Sequence, residues 1–197
     1  MARDRLGAVA LAAAYTTLAL CHAAGMAAPG RALPAALLGS QDLLIAALLL
    51  ARRSSLAVSR RWSDRLVAAA ALLVPLGLHA PGVDLVSVPA VLEVTGLLIA
   101  LLASATLGRN LGILPAVRGL TTSGVYAVVR HPMYAAYILL FVAYVTGAPS
   151  VLNATVAVAA CALLVVRLRT EETLLGRQPD YQEYCRRVPW RLLPGCY

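Results

Sequence analysis

The residues best suited to chemistry lie in two short stretches of the C-terminal half. In the first, Arg130-His131-Pro132 is bracketed by Tyr126 and Tyr134 and preceded by the flexible connection Gly119-Leu120-Thr121-Thr122-Ser123-Gly124. A residue ahead of proline is driven out of the helical region, so His131 should stand just outside a helix that Pro132 opens. That places it beside the unsatisfied N–H groups of a helix N-terminus, where anions bind readily. Two aromatic rings nearby can hold a flat heterocycle or a cation. In the second stretch, Arg167-Leu168-Arg169-Thr170-Glu171-Glu172, a continuing helix puts Arg167 and Glu171 on one face at i,i+4. A surface pair at that spacing is worth about 0.2–0.5 kcal/mol, and Arg before Glu is the weaker order, so stability alone explains it poorly.

The elements that must position these groups are apolar. The chain of 197 residues is 60% hydrophobic and 13% charged, and the apolar runs recur along its whole length. Soluble domains carry roughly twice that charged fraction. Spans are expected at Leu6–Ala28, Leu33–Ala51, Leu66–Ala80 (kinked by Pro75), Val86–Gly108, Met133–Gly147 and Val151–Val166. The breaker cluster Gly147-Ala148-Pro149-Ser150 makes the last two a tight helical hairpin. The fold class is therefore all-α: a polytopic transmembrane bundle of about six spans with a cytoplasmic C-terminal tail. A single membrane domain 1–197 divides into an N-terminal four-helix region, 1–106, and a segment 107–197 carrying the loop, hairpin and tail. The tail breaks at Gly176–Pro179, resumes at Asp180-Tyr181-Gln182-Glu183-Tyr184 and ends in VPWRLLPGCY, with Tyr181, Tyr184 and Trp190 suited to an interfacial anchor.

The net charge of +8 comes from 17 basic residues, all arginine. Under the six-span arrangement every arginine except Arg31 falls on one side, which the positive-inside bias assigns to the cytoplasm together with both termini. That topology, and not nucleic-acid binding, accounts for the charge. The N-terminus also has signal-peptide features, a basic start and small residues near Ala24–Ala28, but its apolar run is long for a signal, so an uncleaved helix is expected. Cys21, Cys161, Cys185 and Cys196 lack zinc-ligand spacing and no His pair accompanies them, so no metal site is expected.

Gln41 and Asp42 fall mid-span, as does Glu93. An ionised group at the bilayer centre costs at least ~2.5 kcal/mol, so each must be neutralised, paired or facing a polar cavity. An acceptor pocket is one reading; interhelical hydrogen bonds to Ser, Thr or backbone groups are the favoured one. His22 and His79 sit near span ends, at the expected interface.

The stretches TTSGVYAVVRHPMY and RLRTEE…YQEYCRRVPWRLLP resemble the isoprenylcysteine carboxyl methyltransferase family of integral membrane enzymes over roughly the C-terminal half. The resemblance implies methyl transfer from S-adenosyl-L-methionine to a lipophilic acceptor, a small molecule or a lipid. It implies cofactor contacts from Arg118, Gly119, Leu120, Thr121, Tyr126, His131, Pro132, Met133, Tyr134 and Glu171, with Glu172 as a neighbour. It places Arg167 where the family has an acceptor-facing arginine and makes Arg167, Glu171 and His131 the catalytic candidates. Two departures are Ala136, where many members have Gly, and Val125, where many have Pro; the tail is also about two residues shorter than the common form.

Methyl transfer is an in-line displacement at an activated carbon, so positioning supplies much of the rate, up to roughly 7 kcal/mol. A carboxylate or thiolate acceptor needs no base; a phenol, alcohol or amine leaves His131 and Glu171 as candidates for one. Composition rich in Ala and Arg and free of Lys points to a GC-rich bacterial genome and so to an inner-membrane location; prenylated proteins are not expected as acceptors there, and the resemblance then implies O-methylation of a small lipophilic metabolite or lipid. Two other readings stand beside this one. A nicotinamide-dependent reductase of the sterol or steroid type shares the terminal YCRRVPWRLLP pattern, and a non-catalytic relative would keep only the fold.

Overall fold

The computed structural model describes residues 2–53, 57–58, 61–79, 87–114 and 116–196. Arg60, Ala80 and Val86, which the sequence places in or beside these elements, lie outside the described residues. Seven α-helices follow in order: α1 (Ala2–Gly25), α2 (Ala32–Ala51), α3 (Trp62–Leu73), α4 (Val88–Leu107), α5 (Pro132–Gly147), α6 (Val151–Leu175) and α7 (Pro179–Arg187). Two two-residue strands, β1 (Ala57–Val58) and β2 (Ala116–Val117), pair antiparallel between the loops.

By length and composition α1, α2, α4 and α6 can each cross a membrane, and α5 is a shorter apolar helix. Large apolar side chains such as Leu20, Val91, Leu98 and Val158 point outward and stay exposed. Water would penalise that surface, whereas lipid solvates it. The chain is a membrane protein.

The third span differs most from expectation. Its α-helix begins at Trp62 and stops at Leu73, and the chain continues as a 3-10 turn, Val74–Gly77. Pro75 is the cause, since it lacks an N–H and its ring clashes with the carbonyl four residues back. The helix starts earlier than hydropathy suggests because Asp64 lies in the first turn, where a carboxylate complements the helix dipole.

The last two helices form the expected hairpin. Ser150 caps α6 by accepting from the Asn153 N–H at 3.1 Å. Asn153, fully buried, donates to the carbonyl oxygens of Ala148 (2.8 Å) and His79 (3.1 Å) and accepts from the His79 N–H (2.9 Å). One amide thereby satisfies the turn and ties the end of the third span to it. His79 is thus engaged through its backbone.

α1 packs along α2, and α4 along α5. Gly96 makes the second approach possible: a Cβ there would lie 3.1 Å from the Ala136 carbonyl oxygen and 3.1 Å from Leu140.

Candidate functional site

Pro132 opens α5 and His131 is its N-cap, with extended backbone (φ −128°). The imidazole lies parallel to the Tyr134 ring, with centroids 5.5 Å apart. The Tyr134 hydroxyl donates to Glu171 Oε1 at 2.5 Å. Glu171 is available because α6 runs unbroken to Leu175, and Arg167, one turn earlier on the same face, reaches the same oxygen at 3.5 Å. The Arg167 guanidinium also stands over the Tyr134 ring, 5.9 Å from its centroid, and donates to the Ile113 carbonyl at 2.8 Å. Tyr134, Arg167 and Glu171 therefore form one interlocked group at the junction of α5 and α6.

Opposite them runs the loop after α4. Gly119 has φ +148°, and a Cβ there would approach the Asn110 Oδ1 to 2.9 Å, so the loop turns where only glycine fits. Asn110 in turn donates to the Thr121 hydroxyl at 3.0 Å, which fixes the 118–121 segment. Tyr126 follows in the 3-10 turn Gly124–Ala127, and its carbonyl accepts from the Tyr184 hydroxyl at 2.6 Å. Burial pushes the phenols of Tyr126, Tyr181 and Tyr184 upward, Tyr184 to about 12, so all three are protonated donors near neutral pH.

These groups surround a cavity of about 530 Å³, within the range of small-molecule sites. Arg118, Gly119, Leu120, Thr121, Tyr126, His131, Met133, Tyr134, Arg167 and Glu171 all line it. Of the residues singled out in the sequence, Pro132 and Glu172 do not. Pro132 is packed into the start of α5. Glu172 turns to the other side of α6, where Oε1 meets Arg130 (2.9 Å) and His131 (3.3 Å) and Oε2 meets Arg191 (2.8 Å).

That second cluster clamps the C-terminal tail. The N–H groups of Arg130 and His131 donate to the carbonyls of Trp190 (2.9 Å) and Arg191 (2.8 Å). Trp190 and Arg191 thus hold the loop that presents His131, a role no local sequence pattern marks. Tyr181 and Tyr184 of α7 are buried beneath the tail together with Val188 and so do more than anchor an interface.

Away from this end the cavity continues between the helices, lined by Tyr137, Tyr15, Asp42 and His22. Asp42 is paired with His22 Nδ1 at 2.9 Å, Gln41 donates to the Ser104 hydroxyl at 2.8 Å, and Glu93 pairs with Arg31 at 2.9 Å. Interhelical pairing is therefore the rule for the mid-span polar groups, but serine serves only Gln41. Arg31 is the arginine on the other side of the topology, and the fully buried Glu93 accounts for it. Tyr137 was missed in the sequence; its spacing of three from Tyr134 on one helix was the signal that could have found it.

The arrangement can hold a zwitterion: at the loop end of the cavity cationic groups and stacked aromatic rings stand beside the Glu171 carboxylate. No curated protein matches the chain. Residues 86–179, a little under half of the chain, match the phospholipid methyltransferase family. The matched segment runs from the start of α4 through the hairpin to the first residue of α7, and so contains nearly every group of the site. Over that segment the chain is similar to this family of methyltransferases.

Proposed function

We propose that the protein transfers a methyl group from S-adenosyl-L-methionine to an oxygen of a lipophilic acceptor at the boundary between membrane and cytosol. The observation that carries this is the interlocked Tyr134–Glu171–Arg167 group facing the Arg118–Thr121 loop across one cavity. The residues fit such a donor. Buried Nε–H groups of Arg130 and Arg167 have no hydrogen-bond partner among the described residues. Glu171 Oε2 has none either, so the site holds unspent donors for a carboxylate and an unspent acceptor for an ammonium. Tyr126 and Tyr134 offer faces to a sulfonium or a purine.

When bound, the cofactor supplies the activated methyl carbon. The chain supplies orientation: Tyr134 and Arg167 hold Glu171, and the His131 ring stacked on Tyr134 walls the cavity. Arg167 lines the cavity and is held by the Ile113 carbonyl, and its assigned role is to steer an acceptor oxygen towards the methyl group. His131 is the nearest candidate to take a proton from a hydroxyl acceptor. We place the site and both termini on the cytoplasmic face of a bacterial inner membrane, in keeping with the arginine distribution.

The test is calorimetric titration of the detergent-purified protein with S-adenosylmethionine, S-adenosylhomocysteine and NADPH, repeated on His131→Ala and Glu171→Ala. Binding of the adenosyl pair that weakens in both variants supports the reading. Binding of NADPH alone sinks it in favour of a reductase.

A further inference from the structure

The cavity has two chemically different ends. The loop end carries the charged cluster around Glu171. The membrane end carries His22 and Asp42, joined at 2.9 Å, and the phenols of Tyr15 and Tyr137 line the same cavity. Glu93, which meets Arg31 through one oxygen, is 0% exposed and does not reach the cavity. Asp42 and His22 are different. Both line the cavity, and their pairing uses only one atom of each, Asp42 Oδ2 and His22 Nδ1. The other carboxylate oxygen and the imidazole Nε2 have no hydrogen-bond partner among the described residues.

We propose that His22 and Asp42 form a second binding site that takes a hydroxyl group at the far end of the acceptor, so that the enzyme selects lipophiles with a polar group at each end. This rests on the reading of the cavity as an acceptor site. The free Asp42 oxygen accepts from the guest hydroxyl while His22 Nε2 provides the complementary contact, since an imidazole oriented by a carboxylate has its second nitrogen fixed towards the ligand. The stretch between the two ends is lined by Ile45, Leu97, Leu140 and Phe141, which suits an apolar spacer. Tyr137, one turn further into α5 than Tyr134, lines the cavity together with Asp42 and Arg167.

Paired probes test this without knowledge of the natural acceptor. 4-Alkylphenols and 4-(ω-hydroxyalkyl)phenols of graded chain length would be titrated into the S-adenosylhomocysteine-saturated protein. The expected result is at least tenfold tighter binding of the hydroxylated partner at one chain length, with the gap closing in His22→Ala and shrinking in Asp42→Asn. Equal affinity within every pair, including no binding by either partner, overturns the inference. A gap that persists unchanged in both variants overturns it too, because the hydroxyl would then be read elsewhere. Retained S-adenosylhomocysteine affinity shows that each variant is folded; if one is not, the wild-type pairs and the other variant decide. Failure of the wild type to bind S-adenosylhomocysteine at all would instead sink the methyl-transfer reading, whatever the probes do.

Discussion

Glu171 and Glu172 are neighbours on one helix, about 100° apart around its axis, and they separate the wall of the cavity from the clamp behind it. On the wall, Glu171 shares Oε1 between Tyr134 and Arg167 and leaves Oε2 without a partner among the described residues. In the clamp, Glu172 spends both oxygens on Arg130, His131 and Arg191. The difference teaches how the two can be told apart by structure when the sequence shows only a pair of acids. Of these two acids, the one kept for a guest has an oxygen left unspent beside the cavity, and the one kept for the fold has both engaged.

The sharpest way to break the comparison is Glu171→Gln. If the carboxylate charge holds a bound cation, affinity for S-adenosylmethionine should fall by roughly ten- to a hundredfold, matching the loss of a charge-assisted hydrogen bond worth about 1.5–3 kcal/mol. Thermal stability should barely change, because the amide still accepts from Tyr134. Calorimetry and a melting curve on one preparation check both halves. A stability loss without an affinity loss would make Glu171 a second clamp residue.

Glu172→Gln should do the reverse. Its two arginine partners lose their counter-charge, and the tail at Trp190–Arg191 loses the anchor beneath it. Hydrogen exchange should quicken at the Arg130 and His131 amides, by an amount that corresponds to about 2 kcal/mol. Affinity for the adenosyl cofactor should weaken less than in Glu171→Gln, since His131 is displaced and not removed. Unchanged exchange at those two amides would show that the tail is held by its backbone bonds alone.

How far the sequence discloses this arrangement follows from which interactions are local. The N-cap position of His131, the opening of α5 by Pro132 and the shared face of Arg167 and Glu171 are all legible, because proline sterics and helical period act over four residues or fewer. The shortened α3 was visible only as a kink at Pro75. The split between Glu171 and Glu172 was hidden, because it depends on Trp190–Arg191 returning to Arg130–His131, a contact between segments some sixty residues apart. Asp42 and Glu93 were readable as groups in need of partners, whereas the identity of those partners, His22 and Arg31, depends on how α1, α2 and α4 cross.

Tyr184→Phe probes the clamp more gently. It removes the 2.6 Å bond to the Tyr126 carbonyl and keeps the buried ring, so a loss of about 1 kcal/mol is expected. The wild-type bond also carries a pH signature. Its phenol is raised by burial from 10.0 to about 12, so the stabilisation is complete below pH 10 and is lost as pH rises towards 12. Phenylalanine should flatten that part of the alkaline stability profile; an unaltered profile would assign the loss to another group.

The smallest effect belongs to Glu183, an exposed acid of α7. Glu183 pairs with Arg186 one turn on, both side chains largely exposed, and the pairing lowers the Glu183 carboxyl from its usual value. Exposed pairs of this kind are screened by salt and give up side-chain entropy to form. Glu183→Gln should therefore leave the melting temperature, cofactor affinity and tail exchange unchanged at moderate ionic strength. A measurable loss of any of them would mean that the outer face of α7 is docked against something, and that the clamp extends beyond the residues that converge on Glu172.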